Sequence, residues 1–392
     1  MFRYETAGES HGECLVATLT GLPAGIPINF DRVNRELWRR QQGFGRGGRM
    51  KIETDKVHVV AGIRHSHTIG APIAILIENK DRKNWTEVLP VEDFEGSAAP
   101  RKAKEVKRPR PGHVDLPGAI KYNFEEVRYL LERASARETT SRVAVGAMVK
   151  EFLYCFDIEI WSHVVGVGTE KLHREATFDE IRAINQRDQV LLNCVDPEAE
   201  VRMKAVVDEA YRTGDTVGGV FEVVAHGCPP GLGSHITFDS RLDGKLAQAI
   251  VSMQAVKGVE IGSAADGAAA FGSKVQDTIH YDKTARDFHR GANRAGGIEG
   301  GISNGQDIIV RGLLKPISTL RRPLESVDLD TRDPALAAYE RSDIAVVPAA
   351  GVIGESMVAI VLAQAFLEKF GGDSLLETNR NYRGYLEQVK NY

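Results

Sequence analysis

Residues 39–53, RRQQGFGRGGRMKIE, bring Arg39, Arg40, Arg46 and Arg49 to a strip lined by glycines at 43, 45, 47 and 48. A guanidinium keeps its proton at any ordinary pH and binds carboxylate or phosphate through two parallel N–H groups. Glycines let the backbone approach a ligand closely. The strip therefore suits a small polyanion, with a solvated basic loop or an RGG-like RNA contact as the other readings. A second segment, KRPRPGHVDLPGA (107–119), adds Arg108, Arg110 and His113 in a loop stiffened by Pro109 and Pro111, which lowers the entropy lost on ordering. In ERASARETTSR (132–142), Arg133 and Arg137 stand four residues apart and share one face if helical, with Ser135 and Thr139 beside them. Close to the start, GESHG (8–12) sets His11 between Ser10 and a glycine, where the backbone must turn sharply or come close to something.

Neither common nucleotide-binding plan accounts for these groups. RGANRAGGIEGGISNGQD (290–307) lacks the GxGxxG spacing, and GAAAFGSK (267–274) has its Ser and Lys in the wrong order for a phosphate loop. Lys315 in KPIST and Arg341, two residues before Asp343, add cations near the C-terminal end. With 50 Lys and Arg against 54 Asp and Glu, the net charge of −4 provides no global field for nucleic acid, so attraction for anions must be local. Cys14, Cys155, Cys194 and Cys228 lie far apart, which suggests neither a disulfide framework nor a zinc site and fits reduced thiols in a cytoplasmic protein. No metal ligand set is indicated. The N-terminus has no signal-peptide pattern.

The elements that must position these groups read from periodicity. Strands are predicted over 13–23, 56–63, 71–79 and 158–168, and a helix over 30–42 with Asp31 as its N-cap. One or two helices fall in 123–153, and peripheral helices in the acidic stretch 176–212. Between 80 and about 116 the chain is charged and proline-rich, a long surface excursion. Residues 345–366 are apolar but interrupted by Glu355 and Gln364, which favours a buried helix over a membrane span. TGLPAGIPINFDR (20–32) echoes HGCPPGLGSHITFDSR (226–241), and TIGAPIAILIEN (68–79) loosely echoes SNGQDIIVRGLL (303–314). These echoes hint at two related halves, about 10–150 and 215–370, within a single domain covering 1–392.

Taken together, the segments resemble the chorismate synthase family over nearly the whole chain. GESHG (8–12), FGRGGRM (44–50), ERASARETTSRVAVGA (132–147), SMQAVKGVEIG (252–262), RAGGIEGGISNGQDI (294–308), KPIST (315–319) and RSD (341–343) fit its signatures in order. The resemblance implies an α/β (α+β) sandwich, with helices packed between antiparallel sheets, and not a Rossmann fold. It implies conversion of 5-enolpyruvylshikimate 3-phosphate to chorismate by 1,4-anti elimination of phosphate, with reduced FMN required although the reaction is redox-neutral. It also implies a homotetramer.

By the same resemblance His11 protonates or hydrogen-bonds the departing phosphate, work that suits an imidazole. His113 lies against the flavin's pyrimidine edge, and Asp343 relays the substrate proton. Ser10, Arg40, Arg46, Arg49, Arg110 and Arg137 are implied as substrate contacts. Arg133, Ala134, Ser135, Gln254, Ala255, Gly300, Lys315, Pro316, Ile317, Ser318, Thr319 and Arg341 are implied as cofactor contacts. No family motif covers His65 or His67, which read as structural or surface residues, as do His163, His226, His235, His280 and His289. No reductase-like segment is visible, so an external flavin reductant is expected; NADPH enters only if the protein reduces its own flavin. Two alternatives rest on the residues alone: a sugar-phosphate phosphotransferase, which lacks an evident metal pair and nucleotide loop, and an RNA-binding protein, which lacks aromatics interleaved with the arginines.

Overall fold

In the strand Cys14–Thr20, Leu15, Ala17 and Leu19 face inward, opposite Ile77, Ile75 and Ile73 of Ile73–Glu78, and all six are buried. Strand side chains alternate between faces, so this pattern needs an apolar layer on one side only. In the computed structural model, which describes residues 2–47, 53–93, 96, 99–340 and 342–392, Arg3–Ala7 and His58–Ala61 flank that pair. The result is a four-stranded antiparallel sheet. A five-stranded sheet follows, in the order Val256–Ile261, Ile308–Leu314, Gly219–His226, Glu159–Val167, Glu170–Lys171, again antiparallel throughout. That is incompatible with a parallel dinucleotide-binding sheet.

The four longer strands of each sheet run in the same sequence. Two strands, a helix and two more strands appear in chain order, and the fourth strand pairs between the second and third in both sheets. The helices are Phe30–Gln41 in the first case and Leu242–Val251 in the second.

Between the sheets lie two helices. Thr139–Tyr154 packs on the first sheet, Val347–Phe370 on the second, and the two pack on each other. Their approach is close at Gly146, where a Cβ would stand 2.2 Å from the Cβ of Ser356. Val347–Phe370 is long and apolar enough to cross a membrane, yet 89% of its most apolar window is buried in the protein. A helix apolar all round belongs in such an interior. Its Glu355 is fully buried and satisfied: the carboxylate meets Arg39 at 2.6 Å and Lys150 at 2.5 Å, and accepts the Ser162 N–H at 2.8 Å. Arg39 thus leaves the basic strip for a core ion cluster that also includes Glu36.

Two local expectations change. Asn29, not Asp31, caps the helix Phe30–Gln41: its Oδ1 accepts the N–H groups of Asp31 and Arg32 at 3.0 and 3.1 Å. A cap bonds two or three residues ahead, and Asp31 already lies inside the first turn. The 123–153 segment breaks at Ser135, whose ψ of 141° is extended, between the helix Arg128–Ala134 and a short turn of 3-10 helix, Ala136–Glu138. Arg133 and Arg137 therefore do not share a helical face.

Candidate active site

The break at Ser135 opens one wall of a cavity of about 460 Å³. Five chain segments meet there: Arg40, Arg46 and Gly47 after the first helix; Arg110, Gly112, His113 and Val114; Ala134–Arg137 and Thr139; Met253–Ala255; and Leu314–Thr319. Glu340, Ser342, Asp343 and the first turns of Val347–Phe370 close it. The volume lies within the range of about 300–1,000 Å³ usual for small-molecule sites.

Local chain geometry explains how each group arrives. Gly45 has φ of +86°, and a Cβ there would lie 2.9 Å from Val207 and 3.2 Å from Ala345, so only glycine lets this loop fold back on the segment beside Asp343. Asp343 Oδ1 accepts the Gly47 N–H at 2.5 Å, and its Oδ2 is 3.4 Å from Arg46 Nε. Lys315 Nζ and Ser318 Oγ both donate to the Gly112 carbonyl, at 2.5 and 3.0 Å, locking the 110–114 loop to the 315–319 segment. Ala255 holds φ of +68° in the cavity wall, a left-handed conformation that costs an L-residue with a Cβ about 1–2 kcal/mol.

The charges are more balanced than the arginine count suggests. Arg137 is fully committed: Nη1 donates to Asp55 at 2.5 Å, Nε to Asn79 at 2.8 Å and Nη2 to the Glu78 carbonyl at 3.0 Å. Arg40 shares Asp55 through Nη2 at 2.9 Å. Burial works to raise the Asp55 pKa, but Arg40 and Arg137 outweigh it and hold the carboxyl below its ordinary value. For Arg40 burial wins. With Asp55 only partly offsetting it, and Arg137 and Arg46 nearby, its pKa is pulled down to about 10. Arg40 remains a cation at neutral pH, and an under-compensated one. Its buried Nε has no hydrogen-bond partner among the described residues, and neither has Gln254 Oε1. Burial likewise lowers the Lys315 pKa, with Lys257 adding to the effect. Arg110 spends its donors on Asp115 and Thr319: Nε to Asp115 at 2.8 Å and Nη1 to Thr319 Oγ1 at 2.8 Å.

Of the positions singled out from sequence, His113, Asp343, Arg40, Arg46, Arg110, Arg137, Ala134, Ser135, Gln254, Ala255 and Lys315–Thr319 line this cavity. Neither Ser10 nor His11 lines the cavity: Ser10 Oγ donates to Ser135 Oγ at 3.1 Å, while the His11 ring Nδ1 lies 2.8 Å from Glu132 Oε1. Arg133 points elsewhere, with Nη1 on the Gly8 carbonyl at 3.1 Å and Nη2 on the Thr6 carbonyl at 2.7 Å. It straps down the segment that carries His11. Gly300 sits in the tight turn between Ile298–Glu299 and Ile302–Ser303, away from the cavity, where its φ of +59° accounts for the glycine. Arg49 and Arg341 lie outside the described residues. The acidic partners Asp55, Asp115 and Glu132 were not singled out. The signal for them was that buried arginines and histidines require counter-charges, with Asp115 only two residues after His113.

A family model for chorismate synthase matches residues 2–367. The chain belongs to the chorismate synthase family. It is 76% identical to the chorismate synthase of Solibacter usitatus and 62% identical to that of Koribacter versatilis, covering all of both proteins in each case. A crystal structure of chorismate synthase aligns with a TM-score of 0.78 at 38% identity, over 100% of this chain and 99% of that one. The family's sandwich is therefore the fold, and Rossmann topology is excluded. Membership makes the chain a carbon–oxygen lyase of the shikimate pathway. The phosphotransferase and RNA-binding alternatives end there.

Proposed function

We propose that the cavity holds 5-enolpyruvylshikimate 3-phosphate together with reduced FMN, and that phosphate and a ring proton leave the substrate here in a 1,4-anti elimination. The observation that carries this reading is the convergence of His113, Asp343, Arg40, Arg46 and Lys315 on one cavity. Both small molecules are polyanions, and the wall offers cations for them.

The donor set fits a flavin. Among the described residues, Arg40 Nε is an unused N–H for phosphate or carboxylate, and Gln254 Oε1 is an unused acceptor for a ring N–H. The flavin's residues would be Ala134, Ser135, Gln254, Ala255, His113 and Lys315–Thr319, with Arg341, Arg133 and Gly300 as the family's further candidates. Of these, Arg133 and Gly300 have the local roles described above. The chemistry that bound reduced FMN would supply is transient electron donation without net oxidation. The chain's own groups do the rest. Arg40 and Arg46, with Arg49, bind the substrate's anionic groups, while Arg110 and Arg137 brace the wall. His11, on the segment that Ser10 ties to the wall through Ser135, gives the departing phosphate its proton. Asp343 takes up the proton lost from the ring carbon, so that C–H and C–O bonds break as the new double bond forms.

Finer readings accompany this one. An external reductant supplies the electrons, in preference to NADPH, since residues 1–392 contain no reductase-like segment. A homotetramer is supported by apolar side chains left in water, among them Phe238, Phe271, Ile236 and Ile279. Four free cysteines support a cytoplasmic setting. The matching strand order of the two sheets supports a single domain built from two related halves.

The test is anaerobic turnover of purified protein with substrate and FMN, with and without dithionite. Phosphate release only when the flavin is reduced supports the reading; release without flavin, or none under either condition, overturns it.

A further inference from the structure

Beneath the cavity wall lies a carboxylate that no part of the proposed reaction uses. Asp115 is fully buried at the start of the helix Asp115–Tyr122 and does not line the cavity. Its two oxygens are occupied differently. Oδ2 accepts the backbone N–H of Arg110 at 3.0 Å and its Nε–H at 2.8 Å. Oδ1 lies against Nδ1 of His113 and accepts from Arg110 Nη2 at 3.1 Å.

We propose that Asp115 is the positioning residue of the site: it fixes His113, a cavity-wall residue, as the Nδ1–H tautomer and leaves Nε2 as the acceptor nitrogen.

Two groups compete for Nδ1. Arg110 Nη2 stands 3.0 Å from Nδ1 and 3.4 Å from Nε2, and could donate only to whichever of the two is bare. Asp115 Oδ1 is the closer neighbour, and its contact is attractive only if Nδ1 carries hydrogen. An ionised carboxylate on one imidazole nitrogen fixes the ring's tautomer and orientation, as in carboxylate–histidine pairs generally. Burial would raise the Asp115 pKa, but hydrogen bonds from His113 and Arg110 outweigh it and hold the group well below the usual carboxylate range, so the acceptor stays ionised. Arg110 is pinned at its far side by Thr319, so the carboxylate cannot rotate away from the ring without losing its three bonds to Arg110.

A single substitution separates this role from simple bracing. In Asp115→Asn the Oδ2 position still faces two donors from Arg110, so the amide oxygen must settle there. The NH2 group then points at Nδ1, which must become an acceptor, and the proton moves to Nε2.

The proposal rests on the reading of His113 as a cofactor contact only for its catalytic consequence. Long-range 15N–1H spectra of histidine-labelled protein without ligand, at alkaline pH, read the tautomer directly. Hydrogen on Nδ1 in the wild type and on Nε2 in Asp115→Asn is expected, with turnover lower by about 10- to 100-fold and substrate KM little changed. Hydrogen on Nε2 in the wild type overturns the proposal, whether or not the variant folds. So does a variant that keeps Nδ1–H. Full activity in His113→Ala would instead remove His113 from the reaction, a failure of the underlying reading that the spectra distinguish.

Discussion

Glu132 grips His11 twice: Oε1 lies 2.8 Å from ring Nδ1, and Oε2 accepts the backbone N–H of the same residue at 2.8 Å. The Trp85 ring stacks on the imidazole at 3.8 Å, and the Glu132 carbonyl accepts the Ser10 N–H at 2.9 Å. His11 is thus held in place by the helix Arg128–Ala134, which ends at the cavity wall. His11→Ala should fold normally and retain FMN while turnover falls by about 10²-fold or more. Measured kcat and flavin affinity decide it; a loss of flavin affinity with kcat intact would give His11 a different role.

Arg40 should respond to ligands more than to folding. Its folded pKa, about 10, lies below the ordinary arginine value of 12.5. A depressed pKa contributes stability only above the ordinary value, and the contribution is lost as pH falls through about 10, so at neutral pH the charge is a net cost to the free protein. An anionic ligand offsets that cost. Arg40→Gln is expected to raise substrate KM by about 10- to 100-fold, the value of one hydrogen bond to a charged group, while the melting temperature without ligand stays close to wild type. A large drop in that temperature with KM unchanged would mean Arg40 is purely structural.

Acid should unfold the protein through its central ion cluster. Burial acts to raise the Glu355 pKa, but Arg39 and Lys150 outweigh it and hold it at about 2, against an ordinary 4.5. Its contribution is present above pH 4.5 and lost as pH falls from there toward 2. Glu355→Gln leaves Arg39 and Lys150 with Glu36 alone and should cost about 3–5 kcal/mol at neutral pH. Denaturant titrations at several pH values check both points: the variant should be weaker at pH 7 and should lose less on acidification.

Packing between the two central helices gives a sharper steric test. In Gly146→Ala the new methyl would stand 2.5 Å from the Cα of Ser356 as well as 2.2 Å from its Cβ, so the helices must separate. Overpacking of this kind costs about 1–3 kcal/mol. A melting temperature equal to wild type would show that the interface yields freely.

The legible part of the molecule was the part written in periodicity and in residue type. Alternation in CLVATLT fixed a strand because one face of it is wet, and the apolar run interrupted by Glu355 marked a buried helix because the counter-ions of that carboxylate lie on other helices. The loops rich in Arg, Gly and Pro do meet at one cavity, since close backbone approach and guanidinium chemistry are properties of the residues themselves. What stayed hidden was pairing. Nothing local in the sequence says that Arg39 turns into the core while Arg40, its neighbour, turns to the cavity. Nor does spacing reveal that Asp55 is shared by Arg40 and Arg137, residues 97 positions apart. Helical periodicity misplaced Arg133 because Ser135 interrupts the helix with its own hydroxyl, which accepts the Arg137 N–H at 3.2 Å. Gly300 is explained by its turn alone.

A crystal structure of the protein with oxidised FMN and 5-enolpyruvylshikimate 3-phosphate tests the central claim most directly. Both molecules are predicted in the single cavity between the 110–114 and 315–319 segments, in contact with His113, Asp343 and Arg40, and with the phosphate ester at the end where Ser135 meets Ser10. Either molecule bound outside that cavity, or both bound with His113 and Asp343 touching neither, would contradict the account.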